Sequence, residues 1–368
     1  MNSLLSDEEH KVVGSIKYMP AVSIIQPFEF KKSLKKELLY KLKVVAEKVE
    51  QELSKNYPAA QVLPVMNKLH HLISNLSYDT HKKGIAIFVS PLVEKVFYLD
   101  LPVEEKLVID ESFEIRDLIY SKKLNIRFLV LLLSGESSRM YLGRSSSLSL
   151  IKSEVSDNIA AYKRDMPEKM THFTDPAGYK EVLLNKFLYH MDERLSTLLK
   201  AYSLPVFVMG AKRTSGHFKK MTKNEKSIAG YIHGNFMEAT EAEIHQAMEP
   251  HLVNWRKIKE QEVLQQLEKA ANEKRLIHGI KEVWSAASRE ISRLLVVEKD
   301  FIFAARQGAN AGRIYKDDLN MAYPFYIKDA VDDIIEKVLE NEGDVEFVDN
   351  GVLKNYGRIA LIQHYRPA

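Results

Sequence analysis

Residues 84–151 constrain the fold of this chain more than any other stretch. They read GIAIFVS, VFYL, NIRFLVLLL, a SGESS turn, RMYLG and LSLI, five short β-rich runs separated by polar punctuation. Helical periodicity lies on both sides of them, so the chain is of the α/β or α+β kind rather than all-helical or all-β. At 368 residues it exceeds one ordinary core and fits two or three domains.

Composition narrows the function classes. A hydrophobic content of 45% and a charged content of 28% are those of a soluble globular protein. The longest apolar run, Phe128 to Leu133, is strand-length and falls far short of the roughly 18 residues that cross a bilayer. The N-terminal MNSLLSDEEHKVV is acidic and has no apolar core, which argues against a secretory signal. The absence of cysteine excludes disulfides, thiolate catalysis, iron–sulfur clusters and Cys-type zinc sites, and is compatible with a cytoplasmic home. A net charge of +3 does not by itself mark a nucleic-acid binder, so local clustering has to decide that question.

Along the chain, Leu34, Leu38, Leu42, Val45, Val49 and Leu53 recur at helical spacing and predict one amphipathic helix over 31–53. Its lysines are interleaved with Glu37, Glu47, Glu50 and Glu52, the pattern of a solvated face. Pro58 ends it, and a second helix is expected over 61–76. A hairpin over 85–90 and 96–99, a short run at 107–109 and a helical turn at 115–120 follow. Strands are expected at 127–133, 139–142 and 148–151. Residues 152–176 read as a long irregular loop, of the sort that is often functional. A helix over 178–202, a buried-type strand at 205–209 and a strand at 228–233 come next. Thr240 and Glu243 have the spacing of a capping box that opens a helix. Pro250 should kink or end that helix, which resumes over 252–275 with Trp255, Ile258, Val263, Leu267 and Ala271 facing inward. Beyond it we expect helices at 279–291 and 326–340, and strands at 294–297, 301–305, 345–348 and 358–362. Domain boundaries fall near residues 123 and 240, giving 1–123, 124–240 and 241–368.

The order of these elements resembles the bacterial branch of the archaeo-eukaryotic release-factor and Pelota family, which includes ribosome-hibernation factors of the Balon type. The segments that carry the resemblance are GIAIFVSPLVEKVFYLDLPVEEKLVIDESFEIRDLI, RFLVLLLSGESSRMYLG, the helix before LPVFVMG, IKEVWSAASREISRLLVV and RIALIQHY. It implies a variable N-terminal α+β domain, a ribonuclease-H-like middle domain and a C-terminal α/β sandwich resembling kink-turn-binding ribosomal proteins. It further implies a ribosome-binding translation factor that occupies the A site and contacts ribosomal RNA, with a translational GTPase as partner. In release factors of the family the middle-domain loop carries Gly-Gly-Gln. The equivalent loop, 152–176, has no such tripeptide, so the resemblance points to occlusion without peptide release and hence to a non-enzyme.

The sharpest local signal is AKRTSGHFKKMTKNEK. It sets Lys212, Arg213, Lys219, Lys220, Lys223 and Lys226 against one acid, Glu225. Clustered cations of this kind neutralise phosphates and release counterions, the main source of nucleic-acid affinity. Lys212, Arg213, His217, Lys219, Lys220 and Lys223 are the RNA-binding candidates, with His217 or Phe218 able to stack on an unpaired base. The alternative is a solvated helix and loop with Phe218 in the core. The 152–176 loop balances Lys152, Lys163, Arg164 and Lys169 against Glu154, Asp157, Asp165 and Glu168, and it is either a ribosome-entering loop or a surface one.

Two-metal nuclease chemistry needs carboxylates on strand ends, and 127–133 and 205–209 carry none; Asp157, Asp165 and Asp175 read as solvated. His70 and His71 are adjacent and diverge on a helix, His81 beside Lys82 and Lys83 reads as a surface residue, and there is no H-E-x-x-H. RQGANAGR, residues 306–313, has neither phosphate-loop spacing, so Gly308 and Gly312 suggest a flexible loop, with Arg306, Arg313 and Lys316 clustered. No G-x-S-x-G elbow is present. No metal, cofactor, membrane or small-molecule substrate is expected. Two other readings stay open: a peptidyl-tRNA hydrolase or release factor with an unconventional loop, where Asn158 is the available amide, and an RNA-binding protein acting off the ribosome.

Overall fold

A computed structural model describes residues 6–13, 19–28, 34–78, 82–144, 147–152, 158–163, 176–287, 292–308, 310, 312–317 and 326–365. The chain divides into two compact units, Met1–Leu124 with Glu260–Ala368, and Asn125–Lys259. In chain order the first unit begins with α1 (Asp7–Val13), β1 (Ala21–Pro27), α2 (Leu34–Asn56), α3 (Ala59–Ser74), β2 (Gly84–Val89), β3 (Glu94–Leu99), β4 (Lys106–Asp110) and α4 (Arg116–Leu124). The second unit holds β5 (Phe128–Leu133), β6 (Ser138–Arg144), β7 (Ser147–Leu150), α5 (Pro176–Tyr202), β8 (Val206–Gly210), α6 (Lys212–Met221), β9 (Ile228–His233) and the first half of α7 (Glu241–Asn272). The first unit resumes with the rest of α7, then β10 (Leu276–His278), α8 (Ile280–Ala287), β11 (Ser292–Glu298), β12 (Ala305–Gln307), β13 (Ile314–Lys316), β14 (Tyr326–Ile327), α9 (Ala330–Glu340), β15 (Asp344–Val348) and β16 (Ile359–Gln363).

The first sheet runs β3-β2-β1-β4, all antiparallel. Its central strand, β1, is absent from the sequence-based expectations. AVSIIQP is bounded by prolines and buries both faces, so it lacks the alternation that marks a half-exposed strand. One face of this sheet, with Val22, Ile24, Ile85 and Ile87, packs under Leu42, Val49 and Leu53 of α2 and Leu69 of α3. The opposite face, with Ile25, Ala86 and Phe88, shares a core with α8, α9 and the sheet β10-β16-β11-β15. The other side of that second sheet, Leu294, Val296, Ala360 and Ile362, is covered by Leu267 and Ala270 of α7.

The second unit is a five-stranded sheet, β7-β6-β5-β8-β9, antiparallel through β5–β6–β7 and parallel through β5–β8–β9. Helices α5 and α6 cover the face bearing Leu129, Leu131, Val206 and Val208. The start of α7 covers the face bearing Phe128, Val130, Phe207 and Met209 through Ile244, Met248 and Leu252.

Several expectations are corrected. Helix α7 runs through Pro250 without ending, because the packing of Ile244, Met248 and Leu252 outweighs the one hydrogen bond proline removes. Ile258 and Ala271 on it are exposed. Residues 301–304 are not strand, and β12 starts only at Ala305. Residues 326–327 form a strand, and the helix expected from 326 begins at Ala330, where Asp329 caps it by accepting the Val331 N–H at 3.0 Å. Residues 288–291 lie outside the described residues.

One polar cluster ties α4 to α9 inside the first unit. Arg116 is only 4% exposed and donates to Asp329 Oδ2 at 2.5 Å and to the Phe301 carbonyl at 2.6 Å. Asp332, equally buried, accepts the Arg116 N–H at 2.8 Å and the Ile115 N–H at 3.3 Å. Around this pair burial lifts Glu114 and Asp333 to about 7 and Glu336 to about 8. Burial also raises Asp110 and Asp332, the latter helped by the nearby Glu114 carboxylate.

Two outcomes follow for stability. Arg116→Ala takes the charged partner from Asp329 and the donor from the Phe301 carbonyl, and should cost about 3–5 kcal/mol, read as a lower urea midpoint. The folded protein holds protons at Glu114, Asp333 and Glu336 that the unfolded chain releases near pH 4, at roughly ordinary carboxylate values. Their contribution is therefore complete at low pH and is lost as pH rises through 7 to 8. Melting temperature should fall between pH 5 and pH 8, and Glu336→Gln should flatten that slope.

Candidate nucleic-acid interface

The basic segment is built from β8 outward. A Cβ at Gly210 would stand 2.3 Å from the Leu133 carbonyl oxygen, so glycine lets the end of β8 lie against β5. The next residue, Ala211, is the N-cap of α6 and offers no side-chain acceptor to the first N–H groups. Lys212 and Arg213 fill the first turn, where positive charge opposes the helix dipole by about 0.3–1 kcal/mol each. The helix exists because its inner face, Thr214, Ser215 and Phe218, is buried. Ser215 Oγ closes the turn onto the Ala211 carbonyl at 3.1 Å and meets His233 Nδ1 at 3.2 Å.

Phe218 is fully buried with Leu129, Phe187 and Val208, which overturns its candidacy for stacking on a base. Lys212, Arg213, Lys219 and Lys220 are exposed on the outer side, His217 is half-buried, and Lys223 and Lys226 are exposed in the turn that follows. The residues proposed from sequence thus lie on one helix and its exit turn, within about twelve positions along a single surface element.

The exit turn is held by a residue the sequence reading passed over. Asp192 of α5 is 4% exposed. Its carboxylate accepts the Thr222 hydroxyl, the Lys223 N–H at 3.0 Å and the Asn224 side-chain amide at 2.8 Å. Asn224 also donates to Ser196 Oγ at 2.8 Å. The signal was available, since Asp192 falls on the inward stripe of α5 with Leu188 and Leu195, where a carboxylate requires partners. Two tyrosines flank the helix. The Lys219 ammonium lies 5.3 Å from the Tyr231 ring centre, and Lys223 lies 5.3 Å from that of Tyr189. Tyr231 donates to Glu225 at 2.7 Å, and burial first, then this carboxylate, raises its phenol. The lone acid of the segment is therefore engaged by Tyr231 and lies 4.0 Å from Lys219.

Of the 152–176 loop, residues 153–157 and 164–175 lie outside the described residues, and with them Glu154, Asp157, Arg164, Asp165, Glu168, Lys169 and Asp175; so do the Lys163 side chain and His81. Lys152 is exposed. Asn158 Oδ1 accepts the Ala160 N–H at 2.8 Å, opening a 3-10 turn whose Tyr162 is buried against Phe187 and His190. In 306–313 the amides turn inward on the loop: Gly308 N–H to the Arg313 carbonyl, Gly312 N–H to Asn310 Oδ1. Among the described residues no group of three or more histidines and acids is placed to hold a metal ion, and no helix is long and apolar enough to cross a membrane.

Residues 127–290 match the model of bacterial archaeo-eukaryotic release factor family 3. The match takes in a little under half of the chain. The matched segment contains β5 through α8, and so all of the basic surface and its Asp192 support. No curated protein matches the chain. Solved structures similar to this chain include archaeal Pelota in a model of ribosome-bound archaeal Pelota and ABCE1, at 14% identity over 98% of this chain and 94% of that one, TM-score 0.42. Archaeoglobus fulgidus Pelota aligns at 13% identity over 77% and 80%, TM-score 0.37. Dom34 of S. cerevisiae, a translation termination-like factor, aligns at 13% over 78% and 76%, TM-score 0.38. Likenesses of this size carry no functional argument.

Asp192→Ala should leave three donors without their acceptor, lower stability by about 2–3 kcal/mol and speed amide exchange at Lys223. Hydrogen-exchange mass spectrometry of 212–227 checks this; unchanged exchange there would show that the turn is held otherwise.

Proposed function

We propose that this chain is a member of the release-factor family and a ribosome-binding translation factor that occupies the A site of idle or stalled ribosomes and carries out no reaction there. The observation that carries the reading is the outer surface of α6 and its exit turn, with six exposed cations and one acid already engaged. Two of those cations sit at the helix N-terminus, where they reduce helix stability. Such placement makes sense where phosphates gather: the cations hold ribosomal RNA backbone, and shape, not base identity, sets the fit. The absence of Gly-Gly-Gln from 152–176 favours occlusion over peptide release, and the Asn158 amide oxygen is committed to its own turn.

The arrangement we infer is a variable N-terminal domain over 1–123, a ribonuclease-H-like middle domain over 124–240 and a kink-turn-protein-like C-terminal domain over 241–368. By family resemblance its C-terminal domain contacts a translational GTPase, and its place of action is the cytoplasm.

Sedimentation through sucrose with purified ribosomes tests this. The chain should co-migrate, and Lys219→Glu with Lys220→Glu should weaken binding and lower the slope of log affinity against log salt by about 2. Release of peptide from ribosomes carrying peptidyl-tRNA would overturn the occlusion reading, and a chain that never co-migrates would place it off the ribosome.

A further inference from the structure

We propose that Tyr189 is a stacking platform for an unpaired RNA base whose neighbouring phosphates lie along α6. This rests on the reading of α6 as an RNA surface and adds what kind of RNA that surface takes. Tyr189 is 41% exposed on α5, whereas Phe187 and Leu188 beside it are buried. The ring is not loose. His190 meets it edge-on, centroids 5.8 Å apart at 76°, and His190 is itself stacked at 4.8 Å and 14° on the buried Tyr162.

Lys223 is set over the same ring, and its placement is fixed from behind. The Lys223 N–H is bound by Asp192, three residues on from Tyr189 in the same helix, so ring and ammonium are registered by a single turn of α5. An exposed aromatic ring with a cation over it is a pairing that binds single strands: as the lysine swings to the adjoining phosphate, the ring takes a base of any identity. In a duplex the base faces are covered by their own neighbours, and only an unstacked base can reach a protein ring. The ligand is therefore RNA with an unpaired nucleotide, and a duplex can use only the cations.

The full-length chain, its Y189A and Y189F variants and the K219E/K220E pair are to be compared by fluorescence anisotropy. The probes are a labelled single-stranded oligouridylate 12-mer and a blunt RNA duplex at low salt. The wild type should favour the single strand, Y189A should lose about tenfold on it and nothing on the duplex, and Y189F should keep full affinity. K219E/K220E should weaken both. Y189A binding the single strand as tightly as the wild type would overturn the platform while leaving the basic surface intact. Wild-type chain that binds neither RNA would remove the basic surface itself. Loss of ribosome binding by Y189A with its oligouridylate affinity unchanged would assign the ring to a protein contact and overturn the proposal.

Discussion

A single buried carboxylate decides where the charged surface of this chain stands. Asp192 gathers a hydroxyl, a main-chain N–H and a side-chain amide from the turn after α6, and thereby fixes where Lys220 ends and Lys223 begins. Without such an anchor the six cations would repel one another across a short helix that has no cap at its start. The cost of sealing a charge inside is met by three hydrogen bonds, and the return is a cationic edge of defined shape. Arg116 solves the same problem in the first unit. There the sealed charge is positive, and its partners Asp329 and the Phe301 carbonyl come from the other end of the sequence. Residues 1–124 and 260–368 accordingly share one core.

The placement of cations separates stability from function. On α9, Asp332 and Asp333 occupy the first turn and Lys337 the last, as the helix dipole favours. Helix α6 obeys the rule only at its end, with Lys219 and Lys220, and breaks it at its start. The two helices differ accordingly: α9 is largely buried, whereas the cations of α6 are exposed.

Much of this was legible in the sequence, and the failures have identifiable causes. Period-2 and period-3.6 patterns located the β2–β3 hairpin, β5, β6, α2, α5 and the Thr240–Glu243 capping box, whose hydroxyl and carboxylate bonds are formed at 2.8–3.3 Å. Strand β1 escaped because it is buried on both faces and therefore has no period. Of the two outcomes expected at Pro250, a kink or an end, the end is overturned because tertiary packing outweighs a local breaker. The cations of α6 could be read as a cluster, since charge is a property of composition. Tyr189 and Tyr231 could not, because their roles depend on which helix passes beside which, and that is set by the sheet order β5-β8-β9; Asp192 stood out only as a carboxylate on an apolar stripe, with its partners hidden for the same reason.

The deeply buried carboxylates bear on the kind of activity this scaffold supports. Among the described residues Glu9, Asp192, Glu298 and Asp332 are each at most 5% exposed. Every one accepts a main-chain N–H: Glu9 from Ser6, Asp192 from Lys223, Glu298 from Gly351 and Leu353, Asp332 from Ile115 and Arg116. Three of them hold a side-chain donor as well, Lys122 on Glu9, Arg358 on Glu298, and Thr222 and Asn224 on Asp192. A general acid or a metal ligand needs lone pairs turned toward a cavity, free to meet substrate or ion. In these four the lone pairs are used to pin loops and helix ends. Fixing a loop from within in this way leaves its outer side chains in a defined arrangement, as Asp192 does for Lys223.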